Sequence, residues 1–187
     1  MSTQITLPDG SIEWRLNGLL HNDNGPAVIY YNGTQEWHNN GMLHRKDGPA
    51  RIFTSGTQQW FINGKLQREG GPACIYSDYR QEWWNNGVLH NEDGPAVIFI
   101  DGSQEWWNNG KRHRDDGGPA LMYSDGSQYW YKNDERYREL HNGEPMPVIV
   151  KKDIISYDGK TFIPITEDNY VKYRYYPTGR FTKSART

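Results

Sequence analysis

The chain has 187 residues, of which 35% are hydrophobic and 14% are aromatic, including eight tryptophans. Disordered chains are poor in aromatic residues, so this composition predicts a folded protein. No apolar run approaches the ~20 residues that a membrane-spanning helix needs, and Met1–Gly10 lacks the basic start and apolar stretch of a secretory signal. The single cysteine, Cys74, excludes an internal disulfide framework and favours a reducing compartment, so we expect a cytoplasmic protein.

The charge is uneven along the chain. Residues 1–140 carry 13 basic and 18 acidic residues, a net charge of −5, whereas residues 141–187 carry 8 basic and 5 acidic residues, a net charge of +3. An acidic segment disfavours non-specific binding of a phosphate backbone. Nucleic acid is therefore the less favoured partner, although the basic end leaves contact with an acidic partner open.

An internal repeat of 23 or 24 residues organises most of the chain. A half-repeat at residues 4–8 comes first, and six units follow at residues 9–31, 32–54, 55–77, 78–100, 101–124 and 125–150. A tryptophan stands at the same position of every unit: Trp14, Trp37, Trp60, Trp83, Trp106 and Trp130. Self-similarity at such a period indicates a repeat array in which each unit packs on its neighbours.

Each unit reads as strands and turns. An Asn-Gly pair such as Asn40-Gly41 follows the tryptophan, and a second turn pair such as Asn32-Gly33 opens the unit. These pairs supply the positive φ angles of tight hairpin turns. The tripeptide Gly-Pro-Ala, as at residues 48–50, favours a strand start or a bend, because proline cannot donate to a ladder. We predict an all-β fold, an elongated antiparallel meander of about six hairpins with about two strands per unit.

The segment 151–187 breaks the repeat. Ile154-Ile155 and residues 170–176 predict strands, and Asp158-Gly159 predicts a turn. A repeat array needs a differing terminal unit that closes its core and sheet edge, so a small β capping segment is one interpretation. The other makes the segment a specificity element, because Lys172, Arg174 and Arg180 stand among tyrosines.

The tryptophan, the Asn-Gly turn, the second glycine and the closing Asp-Gly of a 23-residue unit resemble the MORN (membrane occupation and recognition nexus) repeat. The sequence of residues 106–114, Trp-Trp-Asn-Asn-Gly-Lys-Arg-His-Arg, looks closest to MORN-like repeats of large bacteriophages and giant viruses. It is also similar to bacterial antitoxin-like repeat proteins. The resemblance covers about residues 4–150 and implies the hairpin array. MORN units usually carry Gly-x-Gly where this chain has Gly-Pro-Ala, so the lipid-binding role suggested for such arrays does not carry over.

Strand alternation sorts the repeated positions into faces. The uniform tryptophan column and the column of alanines and isoleucines, such as Ala50 and Ile52, predict the core face. The residue after each tryptophan varies but stays bulky, and we predict that it lies on the opposite, more exposed face. The candidate binding residues are His38, Phe61, Trp84, Trp107 and Tyr131, together with Lys172, Arg174 and Arg180. Alternatively, these aromatic side chains only stiffen the sheet by cross-strand pairing.

Reactive groups are repeated along the chain, not brought together. His21, His44, His90 and His113 occupy one repeat position, and equivalent positions of adjacent units are about 10 Å apart in such a sheet, too far to share a metal ion. Cys74 stands where the other units have Val28, Arg51, Val97 and Leu121, so we interpret it as a small packing residue. We predict no enzyme activity, no cofactor and no metal.

Two functions remain open at this stage. The first is a protein-interaction module that binds its partner through the aromatic face and the C-terminal segment. If the protein is viral, as the resemblance implies, the module is an adaptor or inhibitor that binds a host protein in the host cytoplasm. The second is a module that binds carbohydrate or single-stranded nucleic acid. Sheet ends and exposed aromatic residues also allow a homodimer.

Overall fold

The structure is a computed structural model that describes residues 1–141 and, further along, the backbone of four short strands. The chain divides into two compact units, residues 1–124 with 128–139, and residues 125–127 with 140–187. The predicted domain boundary at residue 150, the predicted strand at Ile154-Ile155 and the predicted turn at Asp158-Gly159 lie outside the described residues.

Every regular element of the described residues is a β-strand. In chain order the strands up to residue 140 are β1 (Thr3–Thr6), β2 (Ile12–Leu16), β3 (Leu19–Leu20), β4 (Val28–Ile29), β5 (Gln35–Glu36), β6 (His38–Asn39), β7 (Met42–Leu43), β8 (Arg51–Ile52), β9 (Gln58–Gln59), β10 (Phe61–Ile62), β11 (Lys65–Leu66), β12 (Cys74–Ile75), β13 (Gln81–Glu82), β14 (Trp84–Asn85), β15 (Val88–Leu89), β16 (Val97–Ile98), β17 (Gln104–Glu105), β18 (Trp107–Asn108), β19 (Lys111–Arg112), β20 (Leu121–Met122), β21 (Gln128–Lys132) and β22 (Glu135–Leu140). Two separate antiparallel pairs follow: β23 (Ser156–Tyr157) with β24 (Lys160–Thr161), and β25 (Tyr173–Tyr175) with β26 (Phe181–Lys183).

One long antiparallel sheet runs through the repeat. Its strand order is β1-β2-β4-β5-β8-β9-β12-β13-β16-β17-β20-β21-β22, so neighbours in the sheet follow each other along the chain. The strands between them pair locally as small side hairpins, for example β6 with β7 and β10 with β11. This confirms the predicted all-β meander. Within the described residues no helix is long and apolar enough to cross a membrane.

The Asn-Gly turns have the predicted conformation. Asn40 and Gly41 both have positive φ, at 49° and 82°, and the equivalent pairs of the other units repeat these angles closely. Two successive positive φ angles give the hairpin turn whose twist matches its strands. At the opening of the fourth unit Tyr79 takes φ 65°, where other units place glycine, so this turn carries a side chain in the left-handed region.

The second to fifth units each contain four strands, not the predicted two, because the chain changes partner at the repeating tryptophan. The N–H of Trp37 donates to the carbonyl of Ala50, whereas the carbonyl of Trp37 accepts from the N–H of His44. The arm before Trp37 therefore pairs within the long sheet, and the arm after it pairs within the side hairpin. The loop at residues 44–49, which contains Gly-Pro, separates the two partners.

The side hairpins are joined from one unit to the next. The N–H of Gly41 donates to the carbonyl of Leu20, and the N–H of Gly64 donates to that of Leu43, both at 2.8 Å. Gly87 and Gly110 make the same contact. The Asn-Gly turn thus does more than close its own hairpin, since it also docks that hairpin on the preceding unit.

The core is distributed over both faces of the sheet. Ala27, Ala50, Ala73, Ala96 and Ala120 are all fully buried, as the sequence predicts. The residue after each alanine, on the opposite face, is equally enclosed in four units: Val28, Cys74, Val97 and Leu121 are at most 4% exposed. The isoleucines and most repeating tryptophans are only half-buried. The prediction that the face opposite the alanines is the more exposed one is therefore wrong, because it carries a column that is buried to a similar degree.

Candidate interaction surface

A row of glutamates crosses the long sheet beside this second buried column. The strand register places Glu13 opposite Val28, Glu36 opposite Val28 and Arg51, Glu82 opposite Cys74 and Val97, and Glu105 opposite Val97 and Leu121. Opposite residues of paired strands share a face. Gln59 takes the glutamate position in the third unit.

Glu36 shows how the row is satisfied. Its carboxylate accepts a hydrogen bond from the Tyr30 hydroxyl at 3.2 Å, pairs with His38 Nε2 at 2.9 Å and accepts from Arg51 Nε at 2.6 Å. Only 8% of the Glu36 side chain is exposed. A carboxylate buried to this degree needs such partners, because an isolated buried charge is strongly unfavourable.

The same arrangement recurs with different donors. Glu82 accepts from the Tyr76 hydroxyl at 3.0 Å and from Trp84 Nε1 at 2.9 Å, and Glu105 accepts from Trp107 Nε1 at 2.8 Å. The residue after the repeating tryptophan thus contacts the glutamate two positions before it. In these units the residue after the tryptophan has a polar edge that reaches the carboxylate. Phe61 and Tyr131 differ, because they follow Gln59 and Tyr129 and not a glutamate.

The pKa shifts follow from these contacts. Burial disfavours the charged form of Glu36, but hydrogen bonds and charge from His38 and Arg51 outweigh it, so the pKa of Glu36 lies below its ordinary value. Burial, and then the Glu82 carboxylate, raises the pKa of the Tyr76 hydroxyl. The same two causes raise the pKa of the Cys74 thiol to about 12.

The predicted binding residues are not equally accessible. The His38 side chain is only 9% exposed, whereas Phe61, Trp84, Trp107 and Tyr131 are half-buried. The Arg51 guanidinium lies 5.7 Å from the ring centre of Phe61. Arg112 lies 4.9 Å from that of Trp107 and 5.6 Å from that of Tyr131. Within residues 1–141, Trp84 is the one aromatic member of the set that has no cation over its ring.

Of the three C-terminal candidates, the structure describes one. Lys172 and Arg180 lie outside the described residues. Arg174 lies in β25, where it pairs with Thr182 of β26. Its place in a short antiparallel hairpin agrees with the β character predicted for the segment.

The repeating tryptophans carry a second set of contacts. Arginines eight residues further along lie over the tryptophan rings, with guanidinium-to-centroid distances of 4.1 or 4.2 Å: Arg45 over Trp37, Arg68 over Trp60, Arg114 over Trp106 and Arg138 over Trp130. A cation over an indole face is attracted by the ring quadrupole. The arginine also holds its loop, as Arg45 Nη1 does by donating to the Pro49 carbonyl at 3.3 Å.

The glycine of Gly-Pro-Ala makes room for the guanidinium. A Cβ built on Gly48 would lie 3.1 Å from Cζ of Arg45, and one built on Gly118 would lie 2.7 Å from Cζ of Arg114. The guanidinium therefore lies in a slot between the indole and the glycine. This close approach explains the glycine at a position where φ is ordinary.

In the first and fourth units asparagine replaces this arginine. Asn91 Nδ2 donates to the Pro95 carbonyl at 2.9 Å, as Asn22 does to Pro26. The amide reproduces the loop contact, but it is too short to cover the indole. A cleft of about 650 Å³ opens at Trp83, and its lining includes Trp84, Gly94 and Asn91. The acidic residues Glu69, Glu92 and Asp93 also line it, together with Arg68 and His90.

The repeated histidines hold units together. The backbone N–H of Asn40 donates to His21 Nδ1 at 3.2 Å, and Asn63, Asn109 and Asn133 do the same to His44, His90 and His113. An accepting Nδ1 places the ring proton on Nε2, which faces Asp23 in His21 and Asp115 in His113. Across the described residues no group of three or more histidine, cysteine or acidic side chains is placed to hold a metal ion.

Sequence reasoning missed the glutamate row and the cleft at Trp83. The recurring Gln-Glu-Trp triplet at residues 35–37, 81–83 and 104–106 was the available signal for the row. The signal for the cleft was the position eight residues after each tryptophan, where Asn22 and Asn91 stand in place of the arginine of the other four units. The row forms across strands of successive units, and the cleft is lined by residues of both the third and the fourth unit.

Comparison with known proteins adds no family assignment. The chain matches no protein-family model, and no curated protein is similar enough in sequence to count as a relative.

Proposed function

We propose that this protein is a non-enzymatic interaction module of the MORN-like repeat class, and that it binds a partner protein at the cleft beside Trp83 and Trp84. The supporting observation is the combination of an open cleft, an acidic rim, and two indole rings over which no cation of residues 1–141 lies. Aromatic residues in partly desolvated pockets are typical energetic centres of protein interfaces. The viral resemblance leads us to propose an adaptor or inhibitor that acts on a host protein in the host cytoplasm.

The charge at the cleft favours a protein partner over a nucleic acid. Glu69, Glu92 and Asp93 disfavour a phosphate backbone, because like charges repel it. The buried glutamates are a separate group, because their hydrogen bonds are to donors within the sheet, such as Trp84 Nε1 and the Tyr76 hydroxyl. We therefore assign them a structural role and not a role in binding. The second candidate, a carbohydrate ligand on the indole faces, is an outcome of the test below.

A peptide-display selection on the immobilised full chain tests the proposal. We expect enriched peptides whose binding is weakened by Trp84→His. Histidine keeps the contact with Glu82, because His38 makes the equivalent contact with Glu36 at 2.9 Å in the second unit. Trp107→His is the matched control, since Arg112 already lies over that ring.

The same two variants are assayed with oligosaccharides and with single-stranded DNA at low salt. Binding of either ligand, without any peptide enrichment, would overturn the proposal in favour of the second candidate. Peptides that bind wild type and Trp84→His equally would show that the binding site is not the cleft, and this part of the proposal would be wrong.

A further inference from the structure

We infer that the cleft between the third and fourth units is a receptor for an arginine side chain of a partner protein, seated on Trp83. The inference deepens the proposed function and rests on it for the nature of the partner. Its basis is internal, because four other units of this chain already place a guanidinium on the equivalent indole at 4.1 or 4.2 Å.

The fourth unit keeps the slot and lacks the arginine. Its loop from His90 to Ala96 has the same length and the same turn pattern as the loop from His44 to Ala50, where Arg45 covers Trp37. Gly94 stands where Gly48 approaches the Arg45 guanidinium, and Gly94 lines the cleft with Trp83. A Cβ on Gly94 would meet only the Asn91 amide, at 3.7 Å. The indole and the glycine thus stand at the positions that bound the arginine slots of the other units.

The acidic residues around this space favour a positively charged ligand. Glu69, Glu92 and Asp93 line the same cleft, and the Glu92 side chain is 83% exposed. Within the described residues, the carboxylates of Glu69 and Asp93 have no hydrogen bond or ion pair. The one arginine of the lining, Arg68, already lies over Trp60. An incoming guanidinium would gain both the indole face and acidic partners.

The first unit differs in one respect. Asn22 also replaces the arginine there, beside Trp14, but neither Asn22 nor Trp14 is among the residues that line the cleft. Asn22→Arg is therefore a matched control that adds the same side chain away from the cleft.

The test is nuclear magnetic resonance titration of the labelled full chain with the amide of Nα-acetyl-arginine, and with the citrulline analogue, which keeps the shape but not the charge. We expect arginine to shift the Trp83 indole and Asn91 side-chain signals, with citrulline binding about fivefold to tenfold more weakly. Asn91→Arg should abolish the Trp83 shift by filling the slot from within. Asn22→Arg should leave it unchanged, and raised salt should weaken it.

A second variant keeps the test independent of folding. The combined change Glu69→Gln, Glu92→Gln and Asp93→Asn alters only exposed side chains, and it should weaken arginine binding at least as much as the loss of the ligand's charge does. Equal shifts with citrulline, or an unchanged Trp83 shift in a folded Asn91→Arg protein, would overturn the inference.

The experiments distinguish failure of the proposed function from failure of the arginine slot. Display-selected peptides that need Trp84 but bind Asn91→Arg as well as wild type would leave the proposed function standing and remove the arginine slot. Arginine binding at Trp83 without any peptide enrichment would leave the slot and remove the proposed function.

Discussion

Arg51 and Glu36 lie opposite each other on paired strands, and Nε of Arg51 is 2.6 Å from a carboxylate oxygen of Glu36. In the other units the residue opposite the glutamate is apolar, as with Val97 opposite Glu82 and Glu105. The second unit therefore replaces a buried apolar contact by an ion pair, and it also places His38 and Tyr30 on the same carboxylate.

Removal of one partner from this pair should be costly. Arg51→Ala leaves the Glu36 carboxylate buried without its cation, and we expect the free energy of unfolding to fall by about 2–3 kcal/mol. Urea denaturation measures the loss. The double variant Glu36→Gln with Arg51→Val introduces residue types that other units carry at these two positions, as Gln59 and Val28 do. It should recover most of the stability. A double variant as unstable as Arg51→Ala would show that the charge pair is not the cause.

Stability should depend on pH through Glu36. The folded-state pKa of Glu36 lies below its unfolded value, so its contribution is fully present above the ordinary glutamate value of about 4.3 and is lost as the pH falls through the folded-state pKa. The difference in unfolding free energy between wild type and Glu36→Gln should therefore shrink on acidification. A difference that stays constant from neutral pH to strongly acidic pH would contradict this account.

Cys74 should be unreactive in the folded protein. It is fully buried, and burial followed by the Glu82 charge raises its pKa to about 12, so the nucleophilic thiolate is scarce at neutral pH. A thiol reagent should label it only after urea unfolding. Cys74→Val introduces the side chain that Val28 and Val97 carry at this position, and it should change the unfolding free energy by less than about 1.5 kcal/mol. Rapid labelling of the native protein would show that this part of the sheet opens readily.

His21 should protect one backbone amide of the next unit. Its Nδ1 accepts from the N–H of Asn40, and the ring is largely buried. His21→Ala should speed hydrogen exchange of the Asn40 amide and lower the unfolding free energy by about 1 kcal/mol. Asp23→Ala removes only the exposed partner of Nε2 and serves as the milder control. Unchanged exchange at Asn40 in His21→Ala would mean that the contact between units does not depend on this ring.

An arginine placed over Trp14 in the first unit should stabilise the protein, as the arginines over the other tryptophans do. Asn22→Arg supplies Trp14 with the side chain that Trp37 and Trp60 already have, and we expect the unfolding free energy to rise by about 0.5–1 kcal/mol. The converse change, Arg45→Asn, should lower it by a similar amount. Thermal or urea unfolding of both variants checks the pair. If neither variant changes stability, the stacked guanidinium acts only through its contact with the proline carbonyl.

The sequence by itself determined the all-β character, the repeat boundaries and the turns. These are local properties, because Asn40-Gly41 needs positive φ angles and Pro49 lacks an N–H wherever the rest of the chain lies. The fully buried alanines also followed from the repeat, since a side chain of that size recurs where strands approach closely.

The tertiary structure alone decided which arms pair and which side chains meet. The N–H and carbonyl of Trp37 bond to residues on opposite sides of the loop at 44–49, and no local preference specifies that change of partner. It places Glu36 against Arg51, 15 positions away. The tertiary structure also places residues 67–71 of the third unit beside Trp83 of the fourth, where they line one cleft. Such contacts depend on register across strands, which a repeat period constrains but does not define.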